Sequence, residues 1–292
     1  MAAASFTEAL GMNLAGAIQK PLTRTRLAGV LEVLAAHEPA SDSERIDDAI
    51  TEAHLREGLD NNQFEAFYQP KINVHKKTIA GAEVLVRWRS PEHGLVSPGW
   101  FIPLAEDTGL VTELLWAMAR QSFEALAAWQ STNSAMKMAV NVSVASLEDI
   151  GLPDMLLTCA KERGVVPDNI ILEITESLFM TKPDQSMEVL CRLALLGFNV
   201  SIDDFGTGYS SMAKLTRFPF SELKIDRSFV HNPSHNTVAS TILEVSAMLG
   251  NKLHMTVVAE GVENLEDWDA VRRVGVHLVQ GYLIAKPMPR AD

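Results

Sequence analysis

The feature that most constrains the fold of this chain is a polar residue that recurs at or near the end of successive short apolar segments. From residue 141 onward, these polar positions follow one another at intervals of 32, 30, 21, 36 and 20 residues, which average about 28. One strand and one helix of a (β/α)₈ barrel together occupy about 30 of its roughly 250 residues. The spacing therefore predicts repeated strand–helix units whose strand ends lie at one face of a barrel. The positions are Asn141, Glu173, Asp203, Lys224, Glu260 and Gln280.

From residue 46 onward, apolar segments typical of buried strands alternate with amphipathic segments typical of helices. Alternation of this kind indicates a mainly parallel sheet, and eight units at this length fit a closed (β/α)₈ barrel. The alternative is an open doubly wound sheet, which would favour a GxGxxG motif after its first strand, and none follows residues 64–69. The predicted strands are 64–69, 81–88, 136–142, 170–175, 199–203, 222–225, 256–259 and 278–282. The predicted helices are 46–59, 99–106, 110–129, 147–163, 186–196, 239–249 and 265–274.

The first 45 residues differ from the rest and are predicted to be a separate lead and linker, with residues 46–292 forming the barrel domain. An amphipathic helix is predicted at 22–36, directly after Lys20 and Pro21, and a polar linker follows it. This segment resembles the last strand and helix of a bacterial response-regulator receiver domain. That resemblance implies a two-component response regulator whose phospho-accepting aspartate lies upstream. The alternative is an ordinary helix with Pro21 in its first turn.

Composition excludes several kinds of partner. The formal net charge is −12, from 25 Lys and Arg against 37 Asp and Glu, which disfavours polymeric nucleic acid and anionic membrane surfaces. No stretch of about 18 uncharged apolar residues is present, so no membrane span is expected. Cys159 and Cys191 have no metal-binding spacing and are interpreted as buried, reduced thiols of a cytoplasmic protein.

The polar strand ends should converge at the carboxyl-terminal mouth, where barrel active sites are built. Single acids at strand ends often cap helices. Burying five carboxylates together, however, would cost roughly several kcal/mol for each of them, so cations are needed to offset this cost. Oxygen ligands, including the Asn141 amide, select Mg²⁺ or Mn²⁺ over zinc. Two such ions are a standard device of phosphoryl hydrolysis, and Lys224 could orient the attacking water. The five acids are Glu83, Glu173, Asp203, Asp204 and Glu260.

A Gly-rich segment at 204–211 follows the fifth predicted strand directly. Its DFG letters match a kinase motif, but no HRD motif precedes them, so that match carries no weight. The segment is predicted to be a functional loop, with Glu176 anchoring it by hydrogen bonds. A simple connector is the alternative.

Short motifs over about 230 residues occur in the order found in one known family. They are YQP at 68–70, AEVLVRW at 82–88, NVS at 141–143, EITES at 173–177, DDFGTGYSS at 203–211, LKID at 223–226, AEGVE at 259–263 and QGYLIAKPMP at 280–289. On these motifs the chain resembles the EAL-domain cyclic-di-GMP phosphodiesterases. The resemblance implies a (β/α)₈ TIM-like barrel with one irregular antiparallel strand, hydrolysis of cyclic-di-GMP to linear pGpG in bacterial signalling, and a homodimer.

The resemblance also implies a role for individual residues. One metal ion would be bound by Glu83, Asn141, Glu173 and Asp203, and a second by Asp203, Asp204 and Glu260. Catalytic roles fall to Lys224, Gln280, Glu260 and Glu176: the first two would contact the catalytic water, and Glu176 would fix the Gly-rich loop. Substrate contacts fall to Gln69 and Arg87.

The name motif departs from the family at Val84, which stands where the family has alanine. Strand alternation points Val84 away from the face of Glu83, so we expect altered packing and no lost ligand. The segment at 284–285 varies a position that is often aromatic in the family and affects the expected affinity for substrate. Two alternatives to an active enzyme stay open: a non-catalytic cyclic-di-GMP receptor, and a different two-metal phosphodiesterase on this fold.

Overall fold

The computed structural model of the protein describes residues 50–176, 184–207, 215, 218–231, 233 and 236–290. The chain divides between Ile50 and Thr51 into two compact units, and nearly all described residues belong to the second. The predictions for residues 1–45 lie outside the described residues, as does the 208–211 part of the Gly-rich loop.

The second unit is built on a sheet whose strands lie close to the predicted ones, with two short additions, β3 and β10. Most strand residues are buried, and most of the buried ones are apolar, as expected where both faces of a strand are covered. The strands are β1 (Phe64–Asn73), β2 (Ile79–Ser90), β3 (Gly94–Val96), β4 (Lys137–Asn141), β5 (Ile170–Thr175), β6 (Asn199–Phe205), β7 (Glu222–Ile225), β8 (Thr256–Ala259), β9 (Leu278–Val279) and β10 (Met288–Pro289).

The sheet closes into a barrel. Hydrogen-bonded neighbours follow the order β10-β1-β9-β8-β7-β6-β5-β4-β2-β3, and an extra pairing of β1 with β2 completes a ring of eight strands. β1 runs antiparallel to both of its ring neighbours, whereas the ring pairs from β2 to β9 are parallel. The predicted (β/α)₈ TIM-like barrel with one irregular antiparallel strand is thus confirmed, and the irregular strand is β1.

Helices surround the barrel, and two of their predicted boundaries were wrong. The helix predicted from residue 46 begins at Glu52, because the Thr51 side chain accepts from the backbone N–H of His54 and caps it. The helix predicted at 147–163 is interrupted near Gly151, and a short 3₁₀ turn precedes the α-helix that begins at Leu152. The helices are α1 (Glu52–Asp60), α2 (Pro98–Thr108), α3 (Val111–Gln130), α4 (Leu152–Glu162), α5 (Asp184–Leu195), α6 (Arg227–Val230), α7 (Thr237–Lys252) and α8 (Leu265–Arg273).

The burial of the two cysteines and of Val84 can be compared with the predictions made from the sequence. Both cysteines are free, and Cys159 is buried as predicted, but Cys191 is exposed because it lies on the outer side of α5. Val84 is buried on the helix-facing side of β2, beside Leu114 and Leu115 of α3. Among the described residues, no helix is both long and apolar enough to cross a membrane.

The contact between α7 and β8 leads to a prediction about stability. A Cβ added at Gly250 would lie 2.5 Å from Cγ2 of Val257, so Gly250→Ala is expected to cost about 1–3 kcal/mol of unfolding free energy through overpacking. Urea denaturation measures this cost. Gly99→Ala in α2, where a Cβ would meet nothing within 4 Å, is the matched control and should be near neutral.

A double variant identifies the cause of that destabilisation. Val257→Ala removes the atom against which the new Cβ would press, so Gly250→Ala/Val257→Ala should cost less than the sum of the single changes. Simple additivity would show that the close approach is not the source of the loss.

Candidate active site

Hydrogen bonds hold the Glu83 carboxylate at the mouth of the barrel, the end at which the parallel strands finish. Asn141, at the end of β4, donates from Nδ2 to Glu83 Oε1 at 3.0 Å. Gln280, directly after β9, donates from Nε2 to Glu83 Oε2 at 2.6 Å and to Gln69 Oε1 at 3.0 Å. Gln69 and Glu83 are Cα partners in β1 and β2. Four residues predicted from separate strands therefore meet in one hydrogen-bonded group.

Lys224 lies at the centre of the acidic residues and is fully buried. Its Nζ contacts Glu83 Oε2 at 3.2 Å and Glu173 Oε2 at 3.0 Å. The same nitrogen lies 3.1 Å from Asp203 Oδ2 and 2.7 Å from Glu260 Oε1. One ammonium thus contacts four carboxylates that come from β2, β5, β6 and the end of β8.

A second buried lysine, which the sequence analysis did not single out, lies one layer deeper. Lys71 Nζ is 2.8 Å from Glu173 Oε1 and 2.8 Å from Glu222 Oε1, and each of these side chains is at most 3% exposed. The predicted strand ended at residue 69, but its observed continuation to Asn73 puts Lys71 on the same face as Gln69, since residues i and i+2 share a face. Lys71 and Glu222 therefore belong to the interior of the barrel.

The end of β6 makes a tight turn that orients two adjacent aspartates. Asp204 has φ of 55°, a left-handed conformation that is uncommon outside glycine, and its N–H donates to Asp203 Oδ1 at 2.9 Å. Gly206 follows with φ of 101° and donates its N–H to Glu176 Oε2 at 2.9 Å. Glu176 thus binds the start of the Gly-rich segment.

The acids form two groups that share Asp203. Glu83, Glu173 and Asp203 each offer an oxygen within 4.8 Å of the others, and so do Asp203, Asp204 and Glu260. A set of carboxylate oxygens without His or Cys suits hard divalent cations. Gln280 Oε1 is also buried and has no hydrogen-bond partner among the described residues, which fits an acceptor for a bound water. The residues present therefore fit metal ions at this mouth.

The crowding of charges shifts pKa values in opposite directions. Burial raises the pKa of Glu173 to about 8, and Glu83 adds to the rise while Lys224 and Lys71 oppose it. Burial likewise raises the pKa of Glu260 to about 8 against the attraction of Lys224. Burial also disfavours the charged form of Glu83, but Lys224 and Lys71 outweigh it and hold its pKa at about 2. Two ammonium groups thus cannot neutralise all of the acids.

These shifts predict how the stability of the metal-free protein depends on pH. Glu173 and Glu260 keep a proton in the folded state up to about pH 8, whereas the unfolded groups release it near pH 4.5. The folded state therefore binds more protons between these values, and the unfolding free energy should fall as pH rises from about 5 to about 8. Urea denaturation in EDTA at several pH values measures this fall in the unfolding free energy.

The opposite slope over the same pH range would contradict the shifts. Glu83 affects stability only at lower pH, because its folded pKa of about 2 lies below its ordinary value. Burial opposes the charge on Lys71 and Lys224, but the surrounding carboxylates raise the pKa of both above 10.5, so the two lysines act only at higher pH. Added Mn²⁺ should remove the slope, since metal binding requires deprotonated ligands.

Arg87 is not part of the acidic group. It lies four residues beyond Glu83 in β2, which is about 13 Å along the strand, and its guanidinium carbon is 5.7 Å from the centre of the Phe67 ring. Gln69 is closer, and its Nε2 donates to the backbone oxygen of Ala285 at 3.1 Å. The two predicted substrate contacts thus lie at different levels of the mouth, Gln69 level with Glu83 and Arg87 farther out.

Comparison with known proteins agrees with this geometry. The sequence model of one family, described as the EAL domain, matches residues 52–287. The chain belongs to the EAL domain family. The match begins at the first residue of α1 and ends two residues before the end of β10, so it includes all eight strands of the ring.

Several relatives of this EAL domain have names that describe an activity. MucR of Pseudomonas aeruginosa, named a bifunctional diguanylate cyclase/cyclic di-GMP phosphodiesterase, is 38% identical over 236 residues, which are 80% of this chain and 34% of MucR. RocR of the same organism, named a cyclic di-GMP phosphodiesterase, is 32% identical over 286 residues, which are 98% of this chain and 73% of RocR. The chain therefore spans about a third of MucR and about three quarters of RocR.

A solved structure is similar over the same region. The complex of the PaMucR phosphodiesterase with c-di-GMP matches this chain with a TM-score of 0.77 and 38% identity, covering 81% of this chain and 96% of that structure.

Proposed function

We propose that this protein is a metal-dependent phosphodiesterase that hydrolyses cyclic-di-GMP to linear pGpG. The observation that carries the proposal is the pair of acidic groups that share Asp203, placed at the mouth of a barrel of the EAL family. The names of the relatives and the c-di-GMP complex of the similar structure support this choice of substrate.

The metal sites are proposed to be two, and to take Mg²⁺ or Mn²⁺. Glu83, Asn141, Glu173 and Asp203 would hold one ion, and Asp203, Asp204 and Glu260 the other. When bound, such ions activate a water and stabilise the leaving oxygen of a phosphodiester. The excess of buried acids over the two lysines supports cations at this mouth, because uncompensated buried charge is costly.

The residues around the acids would position the water and the substrate. Gln280 Oε1 would accept a hydrogen bond from the attacking water, and Lys224 would hold that water and offset charge that develops on the phosphate. The water oxygen bonds to phosphorus while the bond from phosphorus to the ribose 3′ oxygen breaks, and the 3′ oxygen takes up a proton. Gln69 and Arg87 would contact guanine and phosphate groups, and Glu176 would keep the turn at Gly206 in place.

Incubation with cyclic-di-GMP tests the proposal. With Mn²⁺ or Mg²⁺ the protein should produce pGpG, identified by mass spectrometry, and EDTA should stop the reaction. Absence of pGpG at micromolar enzyme with either metal would refute the activity. A panel of other cyclic and linear nucleotides separates this function from that of a different two-metal phosphodiesterase.

A non-catalytic cyclic-di-GMP receptor is the second candidate, because the c-di-GMP complex of the similar PaMucR structure supports binding of this nucleotide and binding alone does not require hydrolysis. Receptors need no complete ligand set, and here every acidic position that the resemblance implies is filled. Tight binding in EDTA together with no hydrolysis in metal would favour the receptor.

Two further features are proposals from the same resemblance. The first is a homodimer formed through barrel helices, and exposed apolar residues along α7 at 238, 245 and 248 support it. Light scattering that finds only monomers at high concentration would contradict it. The second is a receiver-domain remnant at 1–45, a segment that the RocR match reaches because it covers 98% of this chain. An acidic receiver pocket encoded upstream would test it.

A further inference from the structure

The interior of the barrel contains a layer of charged residues below the acidic groups of the mouth. Lys71 lies two residues after Gln69 in β1 and Glu222 two residues before Lys224 in β7, so each faces the same interior as its neighbour. Two residues of strand correspond to about 6.6 Å. Because β1 runs antiparallel to the other ring strands, moving from Gln69 to Lys71 leads away from the mouth.

Both oxygens of Glu173 are held by lysines, one from each layer. Oε1 accepts from Lys71 Nζ at 2.8 Å, and Oε2 accepts from Lys224 Nζ at 3.0 Å. Lys224 also contacts Glu83 and Asp203, so Oε2 is the oxygen that faces the other acids. A rotation of the Glu173 carboxylate would break the bond to Lys71.

No other described group donates a hydrogen bond to Glu173 Oε1. Ser201 is the best placed neighbour, because its Cα pairs with those of both Glu173 and Glu222. Its buried hydroxyl nevertheless has no hydrogen-bond partner among the described residues. Within that part of the chain, Lys71 is therefore the only donor to Glu173 Oε1.

We propose that Lys71 is a positioning residue for the metal site, which holds one oxygen of Glu173 so that only the other faces the mouth. The inference rests on the proposed metal-dependent function. Glu222 completes the arrangement, because its carboxylate balances the charge of Lys71 and lets the lysine stay buried at 2% exposure. Partners that orient a metal ligand in this way typically affect metal affinity or activity by about 10- to 100-fold.

The test uses the double variant Lys71→Met/Glu222→Gln in the full chain. It removes one charge of each sign, so the net charge of the barrel interior is kept, and neither Lys71 nor Glu222 is left as a buried charge without its partner. Mn²⁺ affinity, measured by electron paramagnetic resonance without nucleotide, should weaken about 10- to 100-fold. With cyclic-di-GMP, kcat should fall while KM stays unchanged, because Lys71 lies below the substrate site.

Two control variants separate positioning from loss of packing. Ser201→Ala alters the same layer without touching the bond to Glu173 Oε1. Lys137→Met removes a lysine that, with Lys71 and Glu222, lines a pocket of about 330 Å³ at the other end of the barrel. Lys137 pairs with exposed Asp168 at 3.7 Å. Both should bind Mn²⁺ as the wild type does.

The proposal is overturned if the folded double variant binds Mn²⁺ with wild-type affinity. It is also overturned if Ser201→Ala weakens binding as much as the double variant. Because the metal titration needs no nucleotide, a wild type that binds Mn²⁺ but leaves cyclic-di-GMP intact would refute the proposed activity alone. The role of Lys71 would then still be decided by the variants.

Discussion

Asp203→Asn is expected to lower turnover of cyclic-di-GMP by at least about 10³-fold. Asp203 belongs to both acidic groups, so the substitution weakens both proposed metal sites. Loss of one electrostatic contact in an active site commonly costs about 10²–10³-fold, and this residue would serve two ions. Steady-state kinetics at saturating Mn²⁺ measures the loss.

The fold should survive this substitution. Asp203 raises the pKa of both Glu173 and Glu260 after the larger effect of burial, so removing its charge relieves repulsion in the metal-free protein. Thermal unfolding in EDTA should therefore show no loss of stability for Asp203→Asn. Asp269→Asn, which changes an exposed aspartate of α8, is the matched control and should keep full turnover. Turnover near the wild-type rate in Asp203→Asn would reject the metal assignment.

Lys224→Met is expected to lower both turnover and stability. Turnover should fall about 10²–10⁴-fold if Lys224 orients the water and offsets developing charge. In EDTA at pH 8 the unfolding free energy should drop by about 3–5 kcal/mol, since four carboxylates lose a shared buried partner. Urea denaturation measures that drop.

The way in which the destabilisation of Lys224→Met depends on metal and on pH identifies its cause. The destabilisation should shrink at pH 5, where Glu173 and Glu260 are protonated, and Mn²⁺ should stabilise Lys224→Met more than the wild type. Lys252→Met, at the exposed end of α7, provides a control with the same change of side chain. Equal destabilisation at pH 5 and pH 8 would mean that lost packing, and not uncompensated charge, causes the effect.

The sequence predicts the barrel well because its strands are apolar and their polar ends recur at the spacing of one strand and one helix. Periodicity alone could not reveal β3 and β10, which are too short for a pattern. Nor could it place the break before α4, which depends on the local sequence Gly151-Leu152-Pro153. The acids of the mouth were predicted because each stands out in, or directly after, an apolar strand.

The deeper layer was missed because its members are recognisable only from register. A lysine near the end of β1 suggests a solvated strand end, and Glu222 at the first position of β7 suggests a simple cap. Their contact joins residues 151 positions apart in the sequence. Only the antiparallel direction of β1 brings Lys71 below Glu173, and no local pattern reports strand direction within a closed barrel.

The acids at the mouth are proposed to direct water onto the phosphodiester of cyclic-di-GMP with the help of bound metal. Hydrolysis in water enriched in ¹⁸O, followed by mass spectrometry of the product, tests this most directly. The product should be pGpG that carries one labelled oxygen on its terminal phosphate, formed with Mn²⁺ or Mg²⁺ and absent in EDTA and in Asp203→Asn. Unlabelled product, or equal product in EDTA, would contradict it.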